Sequence, residues 1–162
     1  MKAKGMTKHS GMRVPYQRII VRTAIVFTIL AILVASIVLT TVITANRMIN
    51  THRSEMSKIP SNILPQYSPT SFLSADGQTN LSGWFFRTEQ PKSTVILVHD
   101  TGANRMQFNI DTVDMVEFFL DEGFNVFLFD QRNSGESGGA TTGFGYLEWK
   151  DVVGAIDHVR RI

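Results

Sequence analysis

The feature that most constrains this chain is a long uncharged run near its N-terminus. Residues 23–45 contain no Asp, Glu, Lys or Arg and are rich in Ile, Val, Leu and Ala. As a helix rising 1.5 Å per residue, the run would be about 35 Å long, enough to cross a hydrocarbon core of about 30 Å. Helices buried in soluble proteins are shorter and keep a polar face. The run therefore predicts one transmembrane helix, with the lipid bilayer as its partner.

The charges around this run predict its orientation. The preceding residues carry basic side chains and no acid, namely Lys2, Lys4, Lys8, Arg13, Arg18 and Arg22. This bias places the N-terminus in the cytoplasm and the globular part outside a cell membrane that is crossed once. A cleaved signal peptide is the alternative, but its apolar region has only about 7–15 residues and ends in small residues at a cleavage site. The longer run, ending in Ile43-Thr44-Ala45, favours an uncleaved signal anchor.

Composition divides the chain into four parts. We expect a basic cytoplasmic tail over residues 1–22, the anchor over 23–45, a linker with three prolines over 46–70, and a globular part over 71–162. Residues 59–162 carry thirteen acidic and seven basic residues, which excludes nucleic acid as a partner because binding it needs basic residues on the folded part. The chain has no cysteine, which excludes disulfides, zinc–thiolate sites and catalytic thiols.

Hydrophobic periodicity predicts an α/β fold in the globular part. The pattern is a β-hairpin with an Asp76-Gly77 turn, followed by a strand, a helix, a strand and a helix. The predicted strands are 71–75, 81–87, 95–99 and 124–129, and the predicted helices are 109–122 and 147–161. The apolar face of the last helix is predicted from Trp149, Val152, Val153, Ile156 and Val159. The last two strands should be parallel, with 95–99 buried on both faces and ligand chemistry in the loops 100–108 and 130–146.

Those two loops carry motifs of a known family. The run VILVHDTGANR at 95–105 resembles the loop that follows the third strand of α/β-hydrolases. Residues 123–139 resemble that family's D-x-R-x-x-G-x-S segment, and residues 142–151 resemble the approach to its next helix. The resemblance covers residues 71–162, the amino-terminal half of the fold, and the expected type is a bacterial membrane-anchored serine hydrolase.

The resemblance implies a role for the first loop in acyl hydrolysis. In that family one oxyanion-hole N–H comes from this loop and a second from the residue after the nucleophile. The loop donor would here be the backbone N–H of Thr101. Asp100 stands where the family usually has Gly, and its carboxylate would repel an oxyanion if it pointed inward.

Ser137 lies in a G-x-S-x-G sequence, the pattern of a nucleophile elbow, but its context differs. An elbow needs a strand running into the first Gly and a helix opening after the Ser. Here the predicted strand ends near Asp130, and Gly and Thr follow Ser137. We therefore interpret Ser137 as a loop residue and identify no catalytic residue in the chain.

The other notable residues are given structural roles. We expect His99, Asp100, Asp130, Arg132 and Gly135 to shape the two loops, with Asp130 and Arg132 able to pair. His158 is predicted to be a solvated surface residue. No metal-ligand spacing, dinucleotide fingerprint or phosphate loop is found, so the sequence predicts no metal and no cofactor.

The family's nucleophile, acid and histidine have no counterpart in this sequence. The chain is thus expected to be a truncated fragment, inactive alone, and three hypotheses stay open. It is the amino-terminal part of an anchored hydrolase, a non-catalytic anchored interaction protein, or half of a split hydrolase that a second chain or missing C-terminal half completes. Without the elbow strand that flanks them in the family, residues 95–98 are expected to form an apolar sheet edge that is open to pairing or aggregation.

Overall fold

The computed structural model describes residues 15–50, 53–56 and 62–162 and divides the chain into two compact units. The first unit is Met1–Ala45 and the second is Asn46–Ile162. The predicted tail over residues 1–22 lies mostly outside the described residues.

The described part of the first unit is helical from Tyr16 onward. Helix α1 (Tyr16–Ile49) extends beyond the uncharged run at both ends and contains no buried residue. By length and composition it is the one helix among the described residues that could cross a membrane. Its end at Ile49 lies four residues into the predicted linker, and no proline lies between Pro15 and Pro60 to end the helix earlier.

The second unit is a four-stranded sheet with one helix packed on each face. The strands are β1 (Tyr67–Leu73), β2 (Asn80–Phe86), β3 (Thr94–Leu97) and β4 (Asn125–Phe129), in the spatial order β1-β2-β4-β3. The helices are α2 (Ile110–Asp121) and α3 (Trp149–Val159). β1 and β2 form an antiparallel hairpin, β2 pairs antiparallel with β4, and β3 pairs parallel with β4. The predicted element order and parallel pair are confirmed.

Alternating side chains on β2 and β4 build two apolar layers. On one face Phe85, Phe127 and Phe129 pack with Ala155 of α3. On the other face Phe86, Val126 and Leu128 pack with Val113 and Val116 of α2. All five residues of β4 are buried because this strand has a neighbour on each side and a helix on each face.

The hairpin begins earlier than predicted. β1 starts at Tyr67 rather than residue 71, and it includes Pro69. A proline is tolerated there because β1 lies at an edge of the sheet, where a missing N–H costs no ladder hydrogen bond. The predicted linker is thus shortened at both ends by regular structure.

β3 occupies the other edge of the sheet. Its four residues are half-buried, so the prediction of a strand buried on both faces is wrong. β4 covers one side of it, and no described strand covers the other. The prediction that this segment forms an apolar edge is confirmed, and Val98 directly after it is also exposed.

Helix α3 packs on the sheet with part of the predicted face, since Val152 and Val159 contact the core, but two of the five predicted residues are exposed. Asp151, Gly154 and Ala155 are buried, whereas Trp149 is 56% exposed and Val153 is 37% exposed. A Cβ on Gly154 would lie 2.6 Å from the carbonyl oxygen of Leu73 in β1, so the helix backbone lies against the strand at this point. The periodicity predicted a helix correctly but placed Trp149 and Val153 on the wrong side.

Candidate functional site

His99 joins the two loops that follow the parallel strands. Its Nε2 accepts a hydrogen bond from the Gln131 backbone N–H at 3.0 Å, and Gln131 Nε2 donates to the His99 carbonyl at 2.6 Å. Because Nε2 is an acceptor, the neutral ring carries its proton on Nδ1, which donates to the Asp100 carbonyl at 2.8 Å. Only 6% of His99 is exposed. The ring therefore sets the spacing of the two loops.

The Thr101 backbone N–H has an internal acceptor in this structure. Asp100 Oδ1 accepts from it at 2.9 Å, while the Asp100 N–H donates to Gln107 Oε1 at 2.7 Å. Gly102 follows with φ +78°, which turns the chain back toward α2. Both Asp100 and Thr101 are exposed. A ligand oxygen that used the Thr101 N–H would have to displace the Asp100 carboxylate.

Asp130 is the buried anion beneath these loops, and its partner is Arg105. The Arg105 Nη2–Oδ2 distance is 2.6 Å, Nε donates to the same oxygen at 3.1 Å, and the Arg105 N–H donates to Oδ1 at 2.8 Å. Arg105 also pairs with Glu136 at 2.6 Å and stacks over Trp84 with its guanidinium carbon 4.8 Å from the ring centroid. The predicted Asp130–Arg132 pair is wrong.

Gly135 and Glu136 complete the enclosure of the Asp130 carboxylate. The Glu136 N–H donates to Asp130 Oδ2 at 2.8 Å. Gly135 has φ +45°, and a Cβ at this position would collide with the Asp130 carboxylate. Only glycine combines this backbone conformation with so close an approach.

Ser137 is buried, with both hydrogen-bonding functions of its hydroxyl in use. It is 0% exposed, its Oγ donates to the Asp130 carbonyl at 2.6 Å, and it accepts from the Ser82 N–H at 2.9 Å. The hydroxyl thereby ties the 130–138 loop to β2. A nucleophile needs a neighbouring base and an open approach, and neither is seen at Ser137 among the described residues.

Arg132 holds a second ion-pair network, on the α3 side. It pairs with Asp151 at 2.7 Å and with Asp76 of the hairpin turn at 2.8 Å. The hydrogen bonds to Asp151 and Asp76 raise the pKa of Arg132 above its ordinary value. The backbone N–H of Gln78, together with Arg132, lowers the pKa of Asp76 to about 2. This network fixes α3, the hairpin turn and the 130–139 loop to one another.

Glu148 closes the loop that leads into α3. Its carboxylate accepts from the N–H groups of Gly143 at 2.6 Å and Gly145 at 2.8 Å. Burial alone would raise the pKa of Glu148, but these backbone N–H groups hold it below its ordinary value. The backbone N–H groups of Gly143 and Gly145 could bind an anion, and the Glu148 carboxylate already occupies this position.

His158 is half-buried and packs against the core, so the prediction of a solvated surface residue is wrong. Its ring stacks on Phe72 with centroids 4.9 Å apart, and Nε2 lies 2.8 Å from Thr70 Oγ1. Burial and the charge of Arg161 lower its pKa. Among the described residues no carboxylate hydrogen-bonds this ring, so the hydroxyl–imidazole pair lacks the third group that orients a catalytic histidine.

A small cavity of about 90 Å³ opens below the first loop, beside β3. Its lining combines the end of β3 with the start of α2, including Leu97, His99, Arg105, Phe108 and Met115. Phe108 is 51% exposed at its rim. Within the described residues, no group of three His, Asp or Glu side chains could hold a metal ion.

Comparisons with known proteins agree with this geometry at the level of the fold. The structure is similar to the Pyrococcus furiosus esterase Pf2001, with a TM-score of 0.60 and 27% sequence identity over 70% of this chain and 42% of the esterase. A second crystal form of that esterase gives a TM-score of 0.57 over 71% of this chain and 41% of the esterase. These likenesses support the α/β-hydrolase superfamily.

The sequence is also similar to bacterial proteins. It is 32% identical over 89 residues to the uncharacterized protein YqkD of Bacillus subtilis (strain 168), covering 54% of this chain and 28% of YqkD. It is 35% identical over 106 residues to the uncharacterized protein YfhR of Salmonella typhimurium, covering 58% of this chain and 34% of YfhR. The chain thus spans about a third of the length of the curated relatives it matches. No family model matches the sequence.

Proposed function

We propose that these residues are the amino-terminal part of a membrane-anchored α/β-hydrolase that cleaves an ester, thioester or peptide-like acyl bond. The likeness to a solved esterase over 70% of the chain carries the proposal. The nucleophile, its acid and its histidine come from residues outside these 162. The part described here supplies the oxyanion loop and the scaffold below it.

The arrangement of the two loops supports this division of roles. His99 and Gln131 hold the loops together, while Asp130 and Arg105 fill the space beneath them. The Thr101 N–H lies on an exposed turn at the carboxyl end of β3, where a donor can stabilise a developing oxyanion by a few kcal/mol. Ser137 is enclosed and serves the scaffold.

Ester hydrolysis tests the proposal. The protein would be purified from membranes of its source with an affinity tag at the N-terminus, and turnover of p-nitrophenyl acyl esters would be measured. We expect hydrolysis that a fluorophosphonate inhibits. A folded preparation without hydrolysis or fluorophosphonate reactivity would contradict the proposal.

The membrane anchor is a separate part of the proposal and has its own test. The apolar composition of α1 and the basic residues before it support a single pass with the N-terminus in the cytoplasm. We expect the chain to stay in the pellet after alkaline extraction and to be digested by protease added from outside the cell. Release by alkali would contradict the anchor.

The open edge of β3 supports a second candidate function. Among the described residues β3 has a neighbouring strand on one side only, and an apolar strand edge of this kind can accept a strand from another chain. The protein would then be an anchored interaction module or one half of a split hydrolase. Purified chain that binds a partner and gains ester hydrolysis favours the split enzyme, and binding without hydrolysis favours the interaction module.

A further inference from the structure

Three exposed aromatic side chains lie close together in the loop before α3. Phe144 is 53% exposed, Tyr146 is 81% exposed and Trp149 is 56% exposed. We call these three residues the aromatic platform. Large aromatic side chains contribute most when they are removed from water, so three exposed within six residues indicate a surface that meets a partner.

The platform is held in place by its own backbone. The Glu148 carboxylate binds the N–H groups of Gly143 and Gly145, which flank Phe144 on both sides. Phe144 itself has φ +49°, an unfavourable value for a bulky residue. The loop thus keeps a strained conformation in which its aromatic residues remain at the surface.

Two hydrogen bonds fix the start of this loop to the segment that directly follows the apolar run. The Thr142 N–H donates to the Ile49 carbonyl at 2.9 Å, and Arg53 Nη2 donates to the Gly139 carbonyl at 2.8 Å. Ile49 is four residues after Ala45 in the sequence. The start of the platform loop is thus hydrogen-bonded to the first residues of the second unit, which follow the apolar run directly in the sequence.

The charged groups of the loop are compatible with binding to a lipid headgroup surface. Between residues 138 and 150 the ionisable groups are Tyr146, Glu148, which is buried and bound, and Lys150. Lys150 Nζ lies 5.9 Å from the centroid of the Trp149 ring. No exposed carboxylate in this stretch opposes anionic lipids, and Trp and Tyr are enriched where membranes meet water.

We propose that the aromatic platform docks on the headgroup layer of the bilayer that anchors the chain. This inference rests on the anchor of the proposed function. The platform and the apolar run form two contacts with one membrane, joined by the short segment that carries Ile49 and Arg53. The second contact holds the globular unit at the lipid surface instead of leaving it free on its linker.

Tryptophan fluorescence tests the docking on the full chain. The protein has two tryptophans, Trp84 and Trp149, and none in the apolar run. Trp84 packs against Tyr67 and beneath the Arg105 guanidinium in the second unit, and its emission serves as the internal reference. The full chain and its W149F variant are reconstituted in phosphatidylcholine–phosphatidylglycerol vesicles, with or without lipids brominated near the headgroup. Flotation of the vesicles reports the anchor independently.

The two proteins should respond differently. The fluorescence of Trp149 is obtained by subtracting the emission of W149F from that of the wild type. We expect brominated lipids to reduce this fluorescence about twofold, because bromine quenches only groups at membrane depth. W149F should show no quenching. If the protein floats with the vesicles but Trp149 emission is not quenched by the brominated lipids, the docking is wrong and the anchor stands. This holds whether Trp149 is exposed to aqueous iodide or covered by another protein. Chain that fails to float overturns the anchor and the inference with it.

Discussion

Replacing Ser137 by Ala tests whether this serine has a structural role, because the loss of a structural hydroxyl lowers the stability of the fold. The substitution removes one hydroxyl that donates to the Asp130 carbonyl at 2.6 Å and accepts from the Ser82 N–H at 2.9 Å. A net hydrogen bond contributes about 0.5–1.5 kcal/mol, and a buried group left unpaired costs about 1–3 kcal/mol. We therefore expect the free energy of unfolding to fall by about 2–3 kcal/mol, a large share of the 5–15 kcal/mol that is usual for a domain.

Urea unfolding of the full chain in mild detergent measures this loss. Both tryptophans lie in the second unit, so their emission follows that unit alone. With an m-value of about 1–2 kcal/mol per molar urea, the midpoint should drop by about 1–2 M. Ser71→Ala is the matched control, since Ser71 is exposed and its substitution should change stability by less than about 0.5 kcal/mol. A Ser137→Ala midpoint equal to that of the control would refute the structural role.

Three further predictions use the same unfolding measurement or its amide-exchange counterpart. Gly135→Ala should lower the free energy of unfolding by about 2–4 kcal/mol, because φ is +45° at this position and the Asp130 carboxylate lies against it. Gly77→Ala, where φ is +69° and the surrounding space is open, should lower it by about 1 kcal/mol. Equal losses in the two variants would contradict the steric argument. The pKa of Asp76 falls from 3.8 to about 2 on folding, so its stabilisation is present above pH 4 and disappears as the pH falls toward 2. Asp76→Asn should flatten the stability profile over that range, and an unchanged slope would contradict the pairing. Asp100→Gly should speed hydrogen exchange at the Thr101 amide by removing its acceptor; unchanged exchange would show that the carboxylate does not protect it.

The elements were predictable because their periodicity is local. Continuous apolar residues mark β4, and residues at helical spacing mark α2. Gly123 ends α2 with φ +82°, and the Phe124 N–H bonds back to the Phe119 carbonyl, a helix ending that the sequence predicts from the glycine alone. Such features depend on neighbours within a few residues.

The exposure of Trp149 and Val153 on α3 was not predictable from periodicity. Val152 and Val159 of the predicted face do pack on the core, but the buried Asp151 pairs with Arg132, and Trp149 and Val153 are left exposed. The cost of leaving Arg132 unpaired outweighs the gain from burying one more tryptophan. A buried acid within an amphipathic helix was the signal that hydrophobicity alone overlooked.

The partner of Asp130 was missed for a similar reason. Arg105 is 25 residues away in sequence and lies in the other loop, so proximity along the chain favoured Arg132 instead. The parallel pairing of β3 with β4 brings the two loops to the same edge of the sheet, and only this register places Arg105 over Asp130. The loop positions were predictable, but the pairing of charges between them was not.

Mapping the serine that reacts with a fluorophosphonate tests the central claim most directly. Protein purified from its source membranes would be labelled, digested and sequenced by mass spectrometry. We expect a labelled serine outside these 162 residues, on a polypeptide that purifies with them, and an unlabelled Ser137. Label on Ser137 would contradict it, because a hydroxyl that is 0% exposed and bonded on both sides cannot attack a substrate without the loop unfolding.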